Sequence, residues 1–242
     1  MAAHRGRPAR RPAVRPARRP DPAGPGVTGT LAAYADLAAR VLAGPPLVGR
    51  SRLVAVDGAS GAGKTAFATR LGAALDRAGS PGNSGGRVAT VVHTDDLLDG
   101  WDDQLTFWPR LEESVLGPLR AGRPGAHPRY DWLRGEFGPH EIVVEPTPVV
   151  ILEGFSAARA AVRPELSLAV FVVAPADLRL DRALARDGAG LRPYLERWRR
   201  AEDAHFRADR TGGHADLVVD GAPEVPHDAR HYVRLTGQER VP

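Results

Sequence analysis

The 242-residue sequence predicts an α/β fold: an open, mostly parallel five-stranded sheet with helices on both faces. Three observations carry that expectation. Apolar runs at 52–56, 87–93, 149–152, 168–173 and 217–219 are nearly continuous rather than alternating, as strands buried on both faces are. Helix-period segments separate most of these runs. The polar residues that could do chemistry cluster at the C-terminal ends of the runs, where open α/β sheets bind ligands.

Composition narrows the class. With 43% hydrophobic and 26% charged residues, the chain reads as a soluble globular protein large enough for a sizeable core. No apolar run approaches a membrane span and no signal-peptide core follows Met1, so no membrane partner and a cytoplasmic location are expected. The absence of cysteine excludes disulfides, thiolate catalysis and cysteine metal sites. The formal charge of +4 belongs to one end: residues 1–20 hold seven arginines and no acid, which leaves −3 for the rest. Residues 1–28 are therefore expected to form a disordered Arg/Pro-rich arm, and residues 29–242 one domain. Nucleic acid is an expected partner only through that arm. Composition leaves the oligomeric state open.

Taken in order, Thr30 to Ala43 places Leu31, Tyr34, Leu37, Ala38, Val41 and Leu42 at helical spacing and stops at Gly44-Pro45-Pro46, predicting an outer amphipathic helix. The strand at 52–56 then runs into Gly58-Ala59-Ser60-Gly61-Ala62-Gly63-Lys64-Thr65, a complete G-x-x-x-x-G-K-T phosphate-binding (Walker A) loop. Several backbone N–H groups must converge on one anion here, and glycines permit the close approach. Lys64 supplies a mobile charge for the β and γ phosphates of ATP, and the Thr65 hydroxyl a ligand for Mg²⁺. Lys64 is the only lysine in a chain that otherwise uses arginine. The helix from Thr65 turns its positive end toward the same anion. With the flanking strand and helix, the motif specifies the P-loop nucleoside triphosphate hydrolase fold.

After a flexible connection at 79–86, the run 87–93 leads into Thr94-Asp95-Asp96-Leu97-Leu98. A helix is expected from about Gln104 to Arg120, with Leu105, Trp108, Leu111, Val115 and Leu119 inside and Pro109 and Pro118 as interruptions. Residues 122–148 read as an irregular or hairpin-like substrate-side insertion. The run 149–152 ends at Glu153-Gly154. Helices over 177–187 and 191–208 form a lid, the second carrying Leu195, Trp198, Glu202 and His205. The tail from Pro223 is irregular, with a short strand at 231–235.

Several residues have two readings on chemistry alone. Asp95, just past a strand beside the P-loop, either orients and deprotonates an acceptor hydroxyl or is a turn or cap aspartate. Asp96 is a second candidate on the substrate or metal side. Glu153 at its strand end either organises Mg²⁺ or faces the acceptor. Arg179, Arg182 and Arg186 share a helix face, either as a solvated ion-paired surface or as guanidiniums closing over a triphosphate. Arg129, Tyr130, Asp131 and Trp132 suit the wall of an acceptor pocket, while Trp132 could equally anchor the insertion. His93, His205 and His214 lack zinc-site spacing.

The order of these motifs over residues 50–221 resembles the uridine kinase and phosphoribulokinase-like group of P-loop kinases. The resemblance implies that Asp95, in His93-Thr94-Asp95-Asp96, is the general base. It implies that Tyr130-Asp131-Trp132 matches the nucleoside-contacting Tyr-Asp-Phe element and Glu153-Gly154 the later strand-end acid. Arg179 through Arg182 to Arg186-Asp187 matches the lid that grips ATP phosphates. Two departures stand out. Leu97-Leu98 replaces an aromatic pair, and Leu133-Arg134-Gly135-Glu136 lacks the histidine used against a pyrimidine. The expected activity is ATP- and Mg²⁺-dependent phosphoryl transfer to a small-molecule hydroxyl, most directly a nucleoside such as uridine or cytidine. Alternatives are a nucleoside monophosphate, a pantothenate-like compound or a sugar as acceptor, or a regulatory or nucleic-acid-associated ATPase. A lone lysine cannot supply the Asn-Lys-x-Asp element of a translation-type GTPase.

Overall fold

A computed structural model describes residues 28–79 and 86–237. Of the arm expected over residues 1–28, all but Thr28, which opens the first strand, lies outside the described residues, as do residues 80–85 and the last five. Five parallel strands form the expected sheet: β2 (Arg52–Asp57), β3 (Ala89–His93), β6 (Val149–Glu153), β7 (Leu166–Val173) and β8 (Leu217–Asp220). Two antiparallel strands extend it to seven, β1 (Thr28–Ala33) and β9 (His231–Thr236), in the order β1-β9-β8-β7-β2-β6-β3. The five-strand expectation is thus corrected at one edge. The helix expected from Thr30 starts only at Tyr34, as α1 (Tyr34–Ala43), because pairing with β9 captures the residues before it. Leu31, assigned to a helix face, is 46% exposed on the edge strand.

Strand residues alternate between two apolar layers, as a pleated backbone requires. Val54, Val56, Val149 and Ile151 pack with residues of α1 and α2 (Lys64–Gly79). Leu53, Ala55, Val150 and Leu152 face a helical segment made of α3 (Trp108–Leu111), a π turn (Glu112–Leu116) and α4 (Gly117–Arg120). That segment is shorter than the sequence suggests. Residues 104–107 precede it, Leu105 is 41% exposed, and Phe107 takes the inner position. Pro109 and Pro118 stand at the N-termini of α3 and α4 rather than breaking a helix. Pro118 has no N–H for the Ser114 carbonyl, and the ladder widens so that Gly117 N–H bonds Glu112 O.

The insertion is a two-stranded hairpin, β4 (Gly125–Asp131) with β5 (Glu136–Val144), separate from the main sheet. The two helices expected to form a lid are α5 (Ala176–Asp187) and α6 (Arg192–Asp209), followed by the short α7 (Thr211–His214). Among the described residues, no helix is long and apolar enough to cross a membrane.

Candidate active site

Parallel pairing sets the frame of the site. Val56, Glu153 and His93 lie side by side across β2, β6 and β3, so the P-loop, Glu153 and the Thr94–Leu97 turn all leave the sheet at one edge. Gly154 is required there: its φ is +145°, and a Cβ would collide with the Thr94 hydroxyl. The P-loop bends through Gly61 at φ +77°, where a Cβ would strike the backbone of Arg179. The lid helix α5 therefore packs directly on the loop.

Asp57 anchors the loop. It is fully buried and its carboxylate accepts N–H bonds from Gly58 (2.7 Å), Ser156 (3.0 Å) and Ala158 (2.9 Å). Burial pushes its carboxyl up to about 6, against the pull of those N–H groups and of Lys64. Lys64 Nζ donates to Ala59 O at 3.2 Å. Its charge also acts on Asp57, Asp95, Glu153 and Glu202. The single lysine is thus a shared counter-charge for four carboxylates.

Thr65 Oγ1 donates to Glu153 Oε1 at 3.1 Å, and His93 Nδ1 lies 2.6 Å from Glu153 Oε2. Burial raises the Glu153 carboxyl, but His93, Lys64 and Thr65 outweigh it and hold the group below the ordinary carboxylate range. The same bond raises His93 above an ordinary imidazole. The Asp95 carboxylate accepts no hydrogen bond among the described residues and is exposed at the mouth of the site. Protein crowded around it raises its carboxyl, Glu153 and Asp96 add to that, and Lys64 and Arg186 oppose it. Its neighbour Asp96 pairs instead with Arg129 at 3.0 Å, tying the hairpin to the turn that carries Asp95.

The lid arginines divide. Arg186 is held in a bidentate pair with Asp187 (2.6 and 2.7 Å), and its charge reaches Asp95 and Glu153. Arg182 donates to Gly61 O (3.0 Å) and Gly221 O (3.2 Å), spanning the P-loop and the end of β8. Arg179 turns the other way. Its Nε bonds Ala174 O at 3.1 Å, and the side chain lines a cavity of about 260 Å³ behind the loop with Ala59, Phe171 and Phe206.

The aromatic residues form a chain from hairpin to lid. Tyr130 meets Trp132 (ring centroids 5.1 Å) and Trp132 meets Trp101 (5.3 Å), which meets Tyr194 and Trp198 of α6 (5.8 Å each). Asp131 closes the hairpin turn, its Oδ1 accepting N–H from Leu133 (2.9 Å) and Arg134 (3.1 Å). Asp57, His93 and Glu202 escape the sequence-derived site set. Asp57 leaves a trace as an acid ending an apolar strand, as Glu153 and Asp220 do, and Glu202 as an acid within an inward helical stripe. His93 leaves none, because its role depends on which strand lies beside it.

The donor set fits the ligands the motif implies. Glycine turns leave room for a phosphate chain, and Thr65 with Glu153 offers the one or two hard oxygens that Mg²⁺ takes alongside phosphate and water. Among the described residues, no three His, Asp or Glu groups converge as a ready metal cage. A parallel sheet that delivers a Walker A loop, a strand-end acid and a basic helix to one edge is the architecture of a P-loop kinase.

Comparison makes the assignment more specific: the model of the phosphoribulokinase/uridine kinase family matches residues 53–194, and the chain belongs to that family. It is 27% identical over 189 residues to a uridine kinase of Halobacterium salinarum, covering 71% of this chain and 81% of that protein. Identity reaches 32% over 153 residues with a uridine kinase of Deinococcus deserti, covering 57% and 69%. The solved structure of a possible uridine kinase from Bacillus stearothermophilus shares the fold, with a TM-score of 0.56 at 20% identity over 76% of this chain and 96% of that one.

Proposed function

We propose that this family member phosphorylates a hydroxyl group of a nucleoside, using ATP with Mg²⁺. The observation that carries the proposal is Asp95: a carboxylate without a hydrogen-bond partner among the described residues, raised by its surroundings, and within the fields of Lys64 and Arg186. When bound, Mg²⁺–ATP supplies the electrophilic γ-phosphoryl group. The P-loop amides and Lys64 hold the phosphate chain, while Thr65 and Glu153 provide the metal's protein oxygens. Asp95 orients the acceptor hydroxyl and takes its proton as the oxygen attacks, and its raised carboxyl is better matched to that transfer. Arg182 and Arg186 balance charge spread over the moving phosphoryl group.

For the acceptor, the hairpin residues Arg129, Tyr130, Asp131 and Trp132 form the wall nearest the Asp95 turn. An aromatic face there suits a planar base. A second acceptor class is favoured by one observation. Where uridine kinases carry a base-reading histidine, Leu133 is 100% exposed and Arg134 pairs with Glu136 at 2.7 Å. A nucleoside monophosphate, a pantothenate-like compound or a sugar is therefore the second reading.

Measuring ADP formation across nucleosides, nucleoside monophosphates, pantothenate and sugars tests both. A nucleoside should stimulate ATP consumption well above the acceptor-free rate. Stimulation by another class alone would move the assignment to that class.

A further inference from the structure

Glu202 lies midway along α6, is 0% exposed, and belongs to no part of the phosphoryl-transfer machinery described above. An isolated buried carboxylate is expensive, so its partners explain why it is there. Its Oε1 accepts three hydrogen bonds, each 2.8 Å: from Ser60 N–H, from the Ser60 hydroxyl, and from Trp198 Nε1–H one helical turn away. One oxygen therefore ties the shoulder of the P-loop to α6. Trp198 in turn packs on Trp101 and stands 6.5 Å from Trp132 of the hairpin. Oε2 is buried without a hydrogen-bond partner among the described residues, so the three bonds to Oε1 are the group's only hydrogen bonds there, with the Lys64 charge as its counter-charge. Ser60 directly precedes Gly61, so these bonds fix the loop at the entry to the Gly61–Lys64 stretch, within which the Ala62 N–H is itself given to Ala59 O at 3.1 Å.

We propose that Glu202 is a positioning residue that couples the state of the P-loop to the lid and, through Trp198, to the aromatic contact with the acceptor-side hairpin. The coupling rests on the reading of the P-loop as a nucleotide site only where nucleotide enters. The Ser60–Glu202–Trp198 connection is made by the chain's own groups. Its consequence is that a loop already set by Glu202 binds the phosphate chain with less reorganisation, and that a change at the loop reaches Trp198.

Two measurements on the full-length protein test this. The first uses hydrogen exchange without nucleotide, comparing wild type, Glu202→Gln and Glu202→Ala. Gln keeps the accepting oxygen and should keep protection near wild type. Ala should speed exchange both in residues 58–64 and in 192–209, and faster exchange confined to α6 would overturn the coupling. The second titrates Mg²⁺ with a non-hydrolysable ATP analogue, following calorimetry and tryptophan fluorescence together. Wild type and Glu202→Gln should change emission on binding, and Trp198→Phe should not. Glu202→Ala should bind roughly tenfold more weakly, the scale of one charge-assisted hydrogen bond, with the emission change lost. Tighter binding, or an unchanged emission response in Glu202→Ala, would overturn the proposal. Calorimetry without any binding in wild type would instead sink the nucleotide assignment, and the exchange comparison would still decide the coupling. If Glu202→Ala does not fold, Ser60→Ala removes one of the three donors and should give the same pattern in weaker form. No change in exchange or emission there would count against Glu202.

Discussion

Lys64 shows how much one side chain is asked to do. It stands at the phosphate position, and its charge also offsets Asp57, Asp95, Glu153 and Glu202. The His93–Glu153 bond gives the residue scale its clearest pH prediction. His93 titrates above its ordinary 6.5, so its contribution to stability is complete below that value and is lost as pH rises through its own midpoint. Glu153 titrates below its ordinary 4.5, so its contribution is complete above that value and is lost as pH falls through its own midpoint. The bond therefore stabilises most between about 4.5 and 6.5. Half-exposed His93 keeps the effect modest. Asp57 runs the other way: with a carboxyl raised to about 6, its contribution weakens as pH climbs through that value. Glu153→Gln should lower the His93 midpoint in an NMR titration, and an unmoved midpoint would show that Glu153 is not its main partner. Lys64, Thr65, Asp95 and Glu153 could be found in the sequence because local pattern marks them. His93 could not, since only the β3–β6 register brings it to Glu153.

At the scale of elements, α5 is a helix whose arginines make different contacts. Three arginines at three- and four-residue spacing look equivalent in sequence, yet Arg182 reaches Gly61 and Gly221, Arg186 acts on Asp95, and Arg179 lies behind the loop. The difference comes from α5 packing its backbone against Gly61, which a pattern of side chains does not reveal. Arg186→Gln should lower turnover roughly 10²–10³-fold with nucleotide affinity nearly kept, the cost of one lost charge-stabilising donor. Steady-state kinetics beside calorimetry would separate the two, and an equal loss of both would assign Arg186 to ground-state binding instead. The first strand is the converse case. Thr30 to Ala43 has a real helical period, but an unpaired edge at β9 draws Thr28–Ala33 into the sheet. Long-range pairing overrode a local signal there, whereas Pro118 acts locally: its missing N–H widens the ladder into the π turn between α3 and α4.

The whole molecule joins two halves across one sheet edge. β2, β3 and β6 deliver the phosphate loop, the Asp95 turn and Glu153, while the hairpin and α6 meet above them through Trp132, Trp101 and Trp198. The parallel sheet and the phosphate loop were legible, because a buried parallel strand and a Walker A loop are local signals with few alternatives, and the order of motifs pointed to the family; the order of the strands was not legible, since it rests on long-range pairing. The acceptor was not, because the wall proposed for it is a hairpin turn and aromatic contacts that depend on tertiary packing. The claim on which the account turns is that Asp95 acts on the acceptor and not on the nucleotide. Its direct test is Asp95→Asn beside wild type in the acceptor-stimulated ATP assay, with nucleotide affinity measured on both. The account predicts that acceptor-dependent turnover falls about 10²–10⁴-fold while nucleotide affinity changes little. Undiminished turnover in Asp95→Asn would contradict it.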